Sequence, residues 1–309
     1  MIEYLKLLFF LVSPVRSVLS VKDGTSLNHI PYNRNRDKCL ILGNGPSLKE
    51  DLPDIMRKRD KYDIMCVNHF PVSDLFFDIQ PEYFIITDLA WWSSKVNDTD
   101  RKKRDLVFDK LRDVTWPMQV LVSANSDLVF IKSKINNVNI RIDKSKSTGL
   151  FRPFDYRAFR LYDTGYFTPP VVNVLIFAIF CAIKAGYSKI EVYGADLSYL
   201  FQVDVDQSSN VLYIKNEHFY ASGEKEIMYE TAKKDSSGLK MSTFLQYQAW
   251  TLMGHEQLND YAKKMNCRIV NKSGYSIIDA YDRDSSDNEL FIGSDSKVRR
   301  KKVYNDFIK

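Results

Sequence analysis

Residues Cys39-Leu40-Ile41-Leu42 form a short apolar run that ends in Gly43-Asn44-Gly45-Pro46-Ser47-Leu48. An uninterrupted apolar run of this length reads as a strand buried on both faces, and the glycines and proline close it with a tight turn. Ser47 followed by Glu50 predicts a capping box, and with it a helix start. A strand, a glycine-rich turn and a helix N-terminus in succession aim backbone N–H groups and a positive dipole end at a bound phosphate. The two glycines allow the backbone to come close to a ligand. The turn has neither the third glycine of G-x-G-x-x-G nor the Gly-Lys-Ser/Thr ending of a P-loop. The expectation is a nucleotide site that is neither an ordinary NAD site nor an ATPase.

Further strand-like runs lie at Ile64–Val67, Tyr83–Thr87, Gln119–Ser123, Val138–Ile142, Ile190–Tyr193 and Arg268–Val270, with charged or amphipathic helical stretches such as Asp54–Arg59 and Asp100–Arg112 between them. The clearest unit is a nearly all-apolar helix from Val171 to Ile183, a glycine stop at Gly186, and a buried strand ending in Gly194-Ala195-Asp196. A helix apolar on nearly every face belongs in a protein core. Alternation of this kind predicts an α/β fold: one mostly parallel sheet with helices on both faces. Ligands of such sheets bind at the carboxyl ends of the strands. That rule makes candidates of Gly43, Asn44, Gly45, Asn68, His69, Asp88, Gly194 and Asp196. A dinucleotide enzyme usually carries an acidic residue after its second strand. Here the amide of Asn68 stands there, able to donate and accept toward a ribose hydroxyl or a pyrimidine edge.

The chain has 309 residues, 45% of them hydrophobic, which suits a folded domain with a substantial core. The expected division is an N-terminal extension over 1–36, an α/β domain over 37–284 carrying a lid insertion at about 200–242, and a basic tail over 285–309. Four cysteines without metal-ligand spacing read as buried free thiols of a reducing compartment. The apolar run Leu5–Val12 is too short for a bilayer, which needs about 20 residues. It reads either as a helix packed on the domain or as an in-plane membrane anchor, assisted by the basic run Lys297–Lys302. That basic run reads equally as a solvated tail. The expected location is the cytoplasm, with peripheral contact on the inner face of a bacterial membrane as the alternative. The net charge of +5 sits largely in that tail without interleaved aromatics, which argues against nucleic acid as a partner. An oligomer is compatible with the sequence.

Gly43-Asn44-Gly45-Pro46-Ser47-Leu48 and Cys66-Val67-Asn68-His69-Phe70 resemble the opening of the bacterial CMP-sialic-acid-dependent sialyltransferases of glycosyltransferase family 42. Ala182–Ile190 with Gly194-Ala195-Asp196, and Asn266–Asn271 with Ser276-Ile277, are similar to later segments of that family. The same motifs occur in wider groups: polysaccharide-biosynthesis proteins, flagellin-modifying proteins and a pterin pyrophosphokinase-like family. The resemblance implies a Rossmann-like transferase, a GT-A-like variant, that takes a CMP-sugar as donor without a metal. It implies nucleotide contacts at Asn44 and Asn68, and a tyrosine hold on the departing phosphate by Tyr199 with Tyr213 or Tyr220. His218 matches a family histidine near the catalytic base, while the base's own position holds Ser or Ala. The family's Thr-Ser-Gly before the apolar helix is here Thr168-Pro169-Pro170. Ser47, Thr168 and Ser276 complete the expected nucleotide contacts.

The chemistry leads to the same histidine. Transfer to an acceptor hydroxyl needs a base that works near neutrality. The histidines are His29, His69, His218 and His255. His255, on a helix, reads as a satisfied surface or core residue, and His69 as a group lining the nucleotide site. His218, set in Glu217-His218-Phe219-Tyr220, is the expected base. Asp204-Val205-Asp206 and Asp282-Arg283-Asp284 have the spacing of a metal-holding pair but follow no strand end, so no metal is expected. The expected function is a glycosyltransferase of surface polysaccharide or lipid-linked glycan synthesis, acting on a glycan or glycolipid acceptor. The alternatives are a pyrophosphokinase on the same fold, which would need ATP and a metal, and a nucleotide-binding protein without catalysis.

Overall fold

The computed structural model describes residues 15–283 apart from 17, 22, 151–157, 219–220 and 228–237, and gives the backbone alone for 158, 215–218 and 221–227. The first half of the chain alternates β1 (Lys38–Leu42), α1 (Leu48–Lys58), β2 (Asp63–Val67), α2 (Leu75–Ile79), β3 (Tyr83–Ile86), α3 (Asp98–Arg112), β4 (Met118–Val122), α4 (Leu128–Ile135) and β5 (Ile140–Lys144). Short β6 (Thr148–Gly149), α5 (Ala158–Asp163) and β7 (Phe167–Thr168) lead into α6 (Val174–Lys184) and β8 (Lys189–Tyr193). An excursion through β9 (Val203–Val205), β10 (Leu212–His218) and β11 (Ala221–Ile227) precedes the long α7 (Met241–Lys264) and β12 (Arg268–Asn271).

Seven strands form one sheet in the order β12-β8-β1-β2-β3-β4-β5. All of its pairings are parallel, which makes the fold a Rossmann-like α/β sheet. Each of the seven expected strand runs is one of these strands. The fifth begins later than expected, at Ile140, and Val138 is fully exposed. Asn136 ends α4 in the left-handed region, and the Asn137 amide donates to the carbonyls of Leu111, Arg112 and Val114, so these residues are spent on the turn.

The strands bury both faces, as an all-parallel sheet requires. Cys39, Ile41, Met65, Val67 and Ile85 face α6 and α7. Their neighbours Leu40, Leu42, Ile64, Cys66 and Phe84 face α1 to α4. Burial of each such side chain contributes roughly 1.5–3 kcal/mol. Helix α6 is buried from Leu175 to Ile183 and is capped by the Asn173 side chain, which accepts from the Leu175 N–H at 2.8 Å. Gly186 ends the segment at φ +83, as its position predicts. The four cysteines are free and buried. No helix of the described residues is long and apolar enough to cross a membrane. The apolar run Leu5–Val12 and the basic run Lys297–Lys302 lie outside the described residues.

Strands β1 to β5 follow one another in one direction, and α6 then returns the chain to place β8 on the other side of β1. The strand order therefore reverses between β1 and β8, and the turns that leave these two strands interlock. The Gly43 N–H donates to the Tyr193 carbonyl and the Gly45 N–H to the Gly194 carbonyl, each at 2.8 Å. A Cβ on Gly43 would overlap the Gly194 carbonyl, and one on Gly45 would overlap the Asp196 carboxylate. The glycines thus serve the contact between two turns of the protein. Because the Gly43 neighbour is backbone, Gly43→Ala is expected to lower stability by about 1–3 kcal/mol, the scale of overpacking. Urea unfolding measures this, and unchanged stability would show that the interlock is looser than the contact requires.

Candidate functional site

The carboxyl ends of β1, β2, β3 and β8 bring Asn44, Asn68, His69, Asp88 and Asp196 to one edge of the sheet. The Asn44 amide donates through Nδ2 to the Val67 carbonyl at 3.1 Å, across the first two strand ends. Its Oδ1 is buried and has no hydrogen-bond partner among the described residues. Asn68 turns the chain after β2 at φ 50, a left-handed conformation that asparagine tolerates better than most residues. Its backbone N–H donates to the Ile85 carbonyl at 3.1 Å, and its Oδ1 is likewise buried without a partner among the described residues. An unsatisfied buried acceptor costs free energy until a donor reaches it. Two such acceptors suit a ligand that brings hydroxyl or amine donors, which a sugar or a nucleobase has and an ionised phosphate lacks.

Beside Asn68, the His69 ring packs on Trp91 with centroids 5.0 Å apart. Trp91 is held edge-on by Phe84 and Phe108. Asp88 is exposed and caps the short turn Leu89–Trp91, accepting from the Ala90 N–H at 2.8 Å. Its carboxylate therefore shapes the loop that carries Trp91.

The expected phosphate cradle at the start of α1 is filled from within. Ser47 is already helical, at φ −63 and ψ −19, and makes no capping bond. Its Oγ donates to Asp196 Oδ1 at 2.6 Å, and its N–H donates to Asp196 Oδ2 at 2.9 Å. The predicted capping box does not form, and the N–H groups of Gly43, Gly45 and Ser47 all point into the protein. The carboxylate of Asp196 is the anion at this helix end. Burial pushes the Asp196 acid up to about 6, opposed by its two bonds from Ser47 and by the charge of Arg283. On the next turn of chain Asp51 is pushed up to about 7, first by burial and further by the charge of Asp196, while the Gly274 N–H opposes the shift.

Ser276 lies in the turn after β12. Its hydroxyl donates to the Ala195 carbonyl at 2.6 Å and accepts from Asn271 Nδ2 at 2.9 Å. Ser273 accepts from the Ala195 N–H at 2.9 Å. Both fasten the last strand to the turn after β8, and neither had a motif to mark the pairing. Thr168 is fully buried and donates to the Pro169 carbonyl at 2.9 Å, so its hydroxyl is likewise committed within the protein.

The expected lid is a three-stranded antiparallel sheet, β11-β10-β9. Tyr199 stands where it joins the domain, packed against both the main core and the small core built on Leu212, Leu239 and Phe244. Its hydroxyl accepts from Asn173 Nδ2 at 3.4 Å, and burial pushes it up to about 12. Tyr213 donates to Asp204 at 3.2 Å within the lid. His218 is on β10, paired in register with Ala221, and its side chain lies outside the described residues, as does Tyr220. His255 is buried, shares a 2.7 Å bond with the Tyr281 hydroxyl, and is pushed down to about 3 by burial, as a core histidine should be. The residues the sequence did not flag are Asn173, Asp51 and Trp91. Asn173, placed just before the apolar helix, carried a readable capping signal.

Among the described residues no group of three His, Cys, Asp or Glu could hold a metal. Asp206 accepts from Ser208 and Ser209. Asp282 pairs with Arg268 at 3.3 Å, and Asp284 lies outside the described residues.

A seven-stranded parallel sheet with helices on both faces defines a Rossmann-like α/β fold. The chain belongs to the 6-hydroxymethylpterin diphosphokinase MptE-like family, whose family model matches residues 16–201. That span holds Asn44, Asn68, Asp196 and Tyr199 and ends before the lid sheet. The match falls on one of the wider groups that share these motifs, not on the sialyltransferases. No curated protein matches the chain. Among solved structures, the MAf glycosyltransferase of Magnetospirillum magneticum AMB-1 is similar at 13% identity with a TM-score of 0.48. The alignment covers 88% of this chain and 37% of that one, so the chain spans little more than a third of that protein's length.

Two acids with raised values, Asp51 and Asp196, make stability depend on pH. Asp51 carries a folded-state value of about 7, above its ordinary 3.8, so folding favours the protonated form. Stability from this group is fully present below the ordinary value and is lost as pH rises through about 7. Asp51→Asn is expected to flatten that part of the profile, leaving the contribution of Asp196, which ends near 6. Denaturant unfolding across this range checks it, and an unchanged slope in Asp51→Asn would assign the dependence to other groups.

Proposed function

We propose that this chain is a transferase acting on a nucleotide-activated group, with a CMP-linked acid sugar of the sialic-acid type as donor and a hydroxyl of a glycan or glycolipid as acceptor. The observation that carries the reading is the pair of buried, unsatisfied amide oxygens of Asn44 and Asn68 at the ends of β1 and β2. A ribose hydroxyl or the amine of a cytosine supplies the donors that these oxygens lack. The start of α1, filled by Asp196, offers no seat for a polyphosphate, which suits a nucleotide carrying a single phosphate.

In the proposed reaction His218 takes the proton of the acceptor hydroxyl. The oxygen attacks the anomeric carbon from the face opposite the nucleotide, and the bond from that carbon to the phosphate oxygen breaks with inversion. Tyr199, kept protonated by burial, donates to the departing phosphate while Asn173 fixes its ring. Tyr220 is proposed as a second donor. The scheme asks for no metal. The terminal apolar and basic runs would hold the enzyme at the inner face of a membrane that carries the acceptor.

A second reading, diphosphoryl transfer from ATP to a small alcohol, is favoured by the name of the matched family. Calorimetric titration with CMP and with ATP, each in EDTA and in Mg²⁺, separates the two. The expected result is metal-independent CMP binding. Magnesium-dependent ATP binding without CMP binding would replace the glycosyl reading with the diphosphoryl one. Asn68→Gly removes the amide without straining the left-handed turn, and should weaken CMP binding about tenfold, the worth of a buried hydrogen bond with its desolvation. His218→Ala should lower transfer by roughly 10²–10⁴ with nucleotide affinity retained. Full transfer activity in that variant would remove His218 as the base.

A further inference from the structure

The α1 N-terminus is the place where a fold of this kind ordinarily receives a ligand phosphate, and here both oxygens of one carboxylate occupy it. We propose that Asp196 is a built-in anion, a positioning residue that takes the phosphate's place at the α1 N-terminus and so holds the Asn44 amide toward the ligand. The proposal rests on reading Asn44 as a ligand contact.

The mechanical link is short. Asp196 accepts from the Ser47 hydroxyl at 2.6 Å and from the Ser47 N–H at 2.9 Å, 149 residues along the chain. It also lies against Gly45, which admits it because it has no Cβ. Gly43 and Gly45, on either side of Asn44, each donate a backbone bond to the turn after β8. Asn44 is thereby held through both neighbours, and its amide nitrogen is pinned on Val67 at 3.1 Å. What remains is one amide oxygen with no partner among the described residues. The carboxylate is held by two bonds from Ser47, so it needs no ligand to stay at the helix end. A nucleotide phosphate entering that place would meet Asp196, with Glu50 and Asp51 in the first turn of the same helix. The phosphate is therefore excluded from α1, and the helix end serves rigidity instead of binding.

The test uses the full chain with Asp196→Ala, Asp196→Asn and Asn44→Ala. Asp196→Ala empties a slot of carboxylate size at a helix N-terminus. CMP affinity is expected to fall about tenfold, and adding Asn44→Ala to it should cost little more, because both act through one contact. Formate should raise the melting temperature of Asp196→Ala and recover part of its CMP affinity while leaving the wild type unmoved. A purely structural residue would not give that ligand-specific rescue. Wild-type CMP affinity in Asp196→Ala would overturn the proposal, as would equal formate effects on both proteins. CMP binding more tightly to Asp196→Ala than to the wild type would overturn it too, since the slot would then be the phosphate's own seat. If Asp196→Ala does not fold, Asp196→Asn keeps the shape and loses the charge. Weaker CMP binding by that variant supports the proposal, and undiminished binding refutes it. Should the wild type bind no CMP, the nucleotide reading falls, while the formate stabilisation of Asp196→Ala still decides what occupies the α1 end.

Discussion

The contact on which the site depends is the meeting of two turns, one leaving β1 and the other leaving β8. In a doubly wound sheet these turns usually diverge and leave a crevice at the point where strand order reverses. Here Gly43 and Gly45 bond across to Tyr193 and Gly194, and Asp196 reaches over to Ser47. Ser273 and Ser276 bind the turn after β12 to Ala195. Strands β1, β8 and β12 are therefore joined at their carboxyl ends by side-chain and backbone bonds beyond those of the sheet itself.

Closing the crevice moves the open chemistry sideways, toward β2 and β3. Asn44 and Asn68 each keep an unsatisfied amide oxygen, and the half-buried His69 ring beside them rests on the buried Trp91. Buried amide acceptors call for hydroxyl or amine donors, whereas a phosphate asks for N–H donors, and those of Gly43, Gly45 and Ser47 are spent within the protein. Tyr199 joins the lid sheet to the main core, so the residue proposed to hold the departing phosphate sits where lid and domain meet.

The strand runs were legible because each is short, apolar on both faces and bounded by turn residues, and the buried α6 was legible because charge is absent from its interior. The edge of the sheet that gathers Asn44, Asn68, His69, Asp88 and Asp196 followed from the alternation of elements. The role of Ser47 was not legible. Its spacing to Glu50 is that of a capping box, and only a partner 149 residues away in sequence diverts its hydroxyl. Likewise Gly43 and Gly45 read as a cradle for a ligand, and the structure shows them as the space in which another turn of the same chain sits. His255 read as a satisfied helix histidine; it is buried and bonds Tyr281 through Nδ1, while Nε2 has no partner among the described residues.

By itself the sequence determined a parallel α/β sheet, the strand ends that carry asparagine and aspartate, and the thiols' burial, since all of these follow from local patterns of apolarity and turn chemistry. The tertiary structure alone decided that the Asp196 carboxylate occupies the α1 N-terminus and that Gly43 and Gly45 are spent on the turn after β8. Those outcomes depend on contacts between β1 and β8, which are distant in sequence and brought together only by the reversal of strand order through α6.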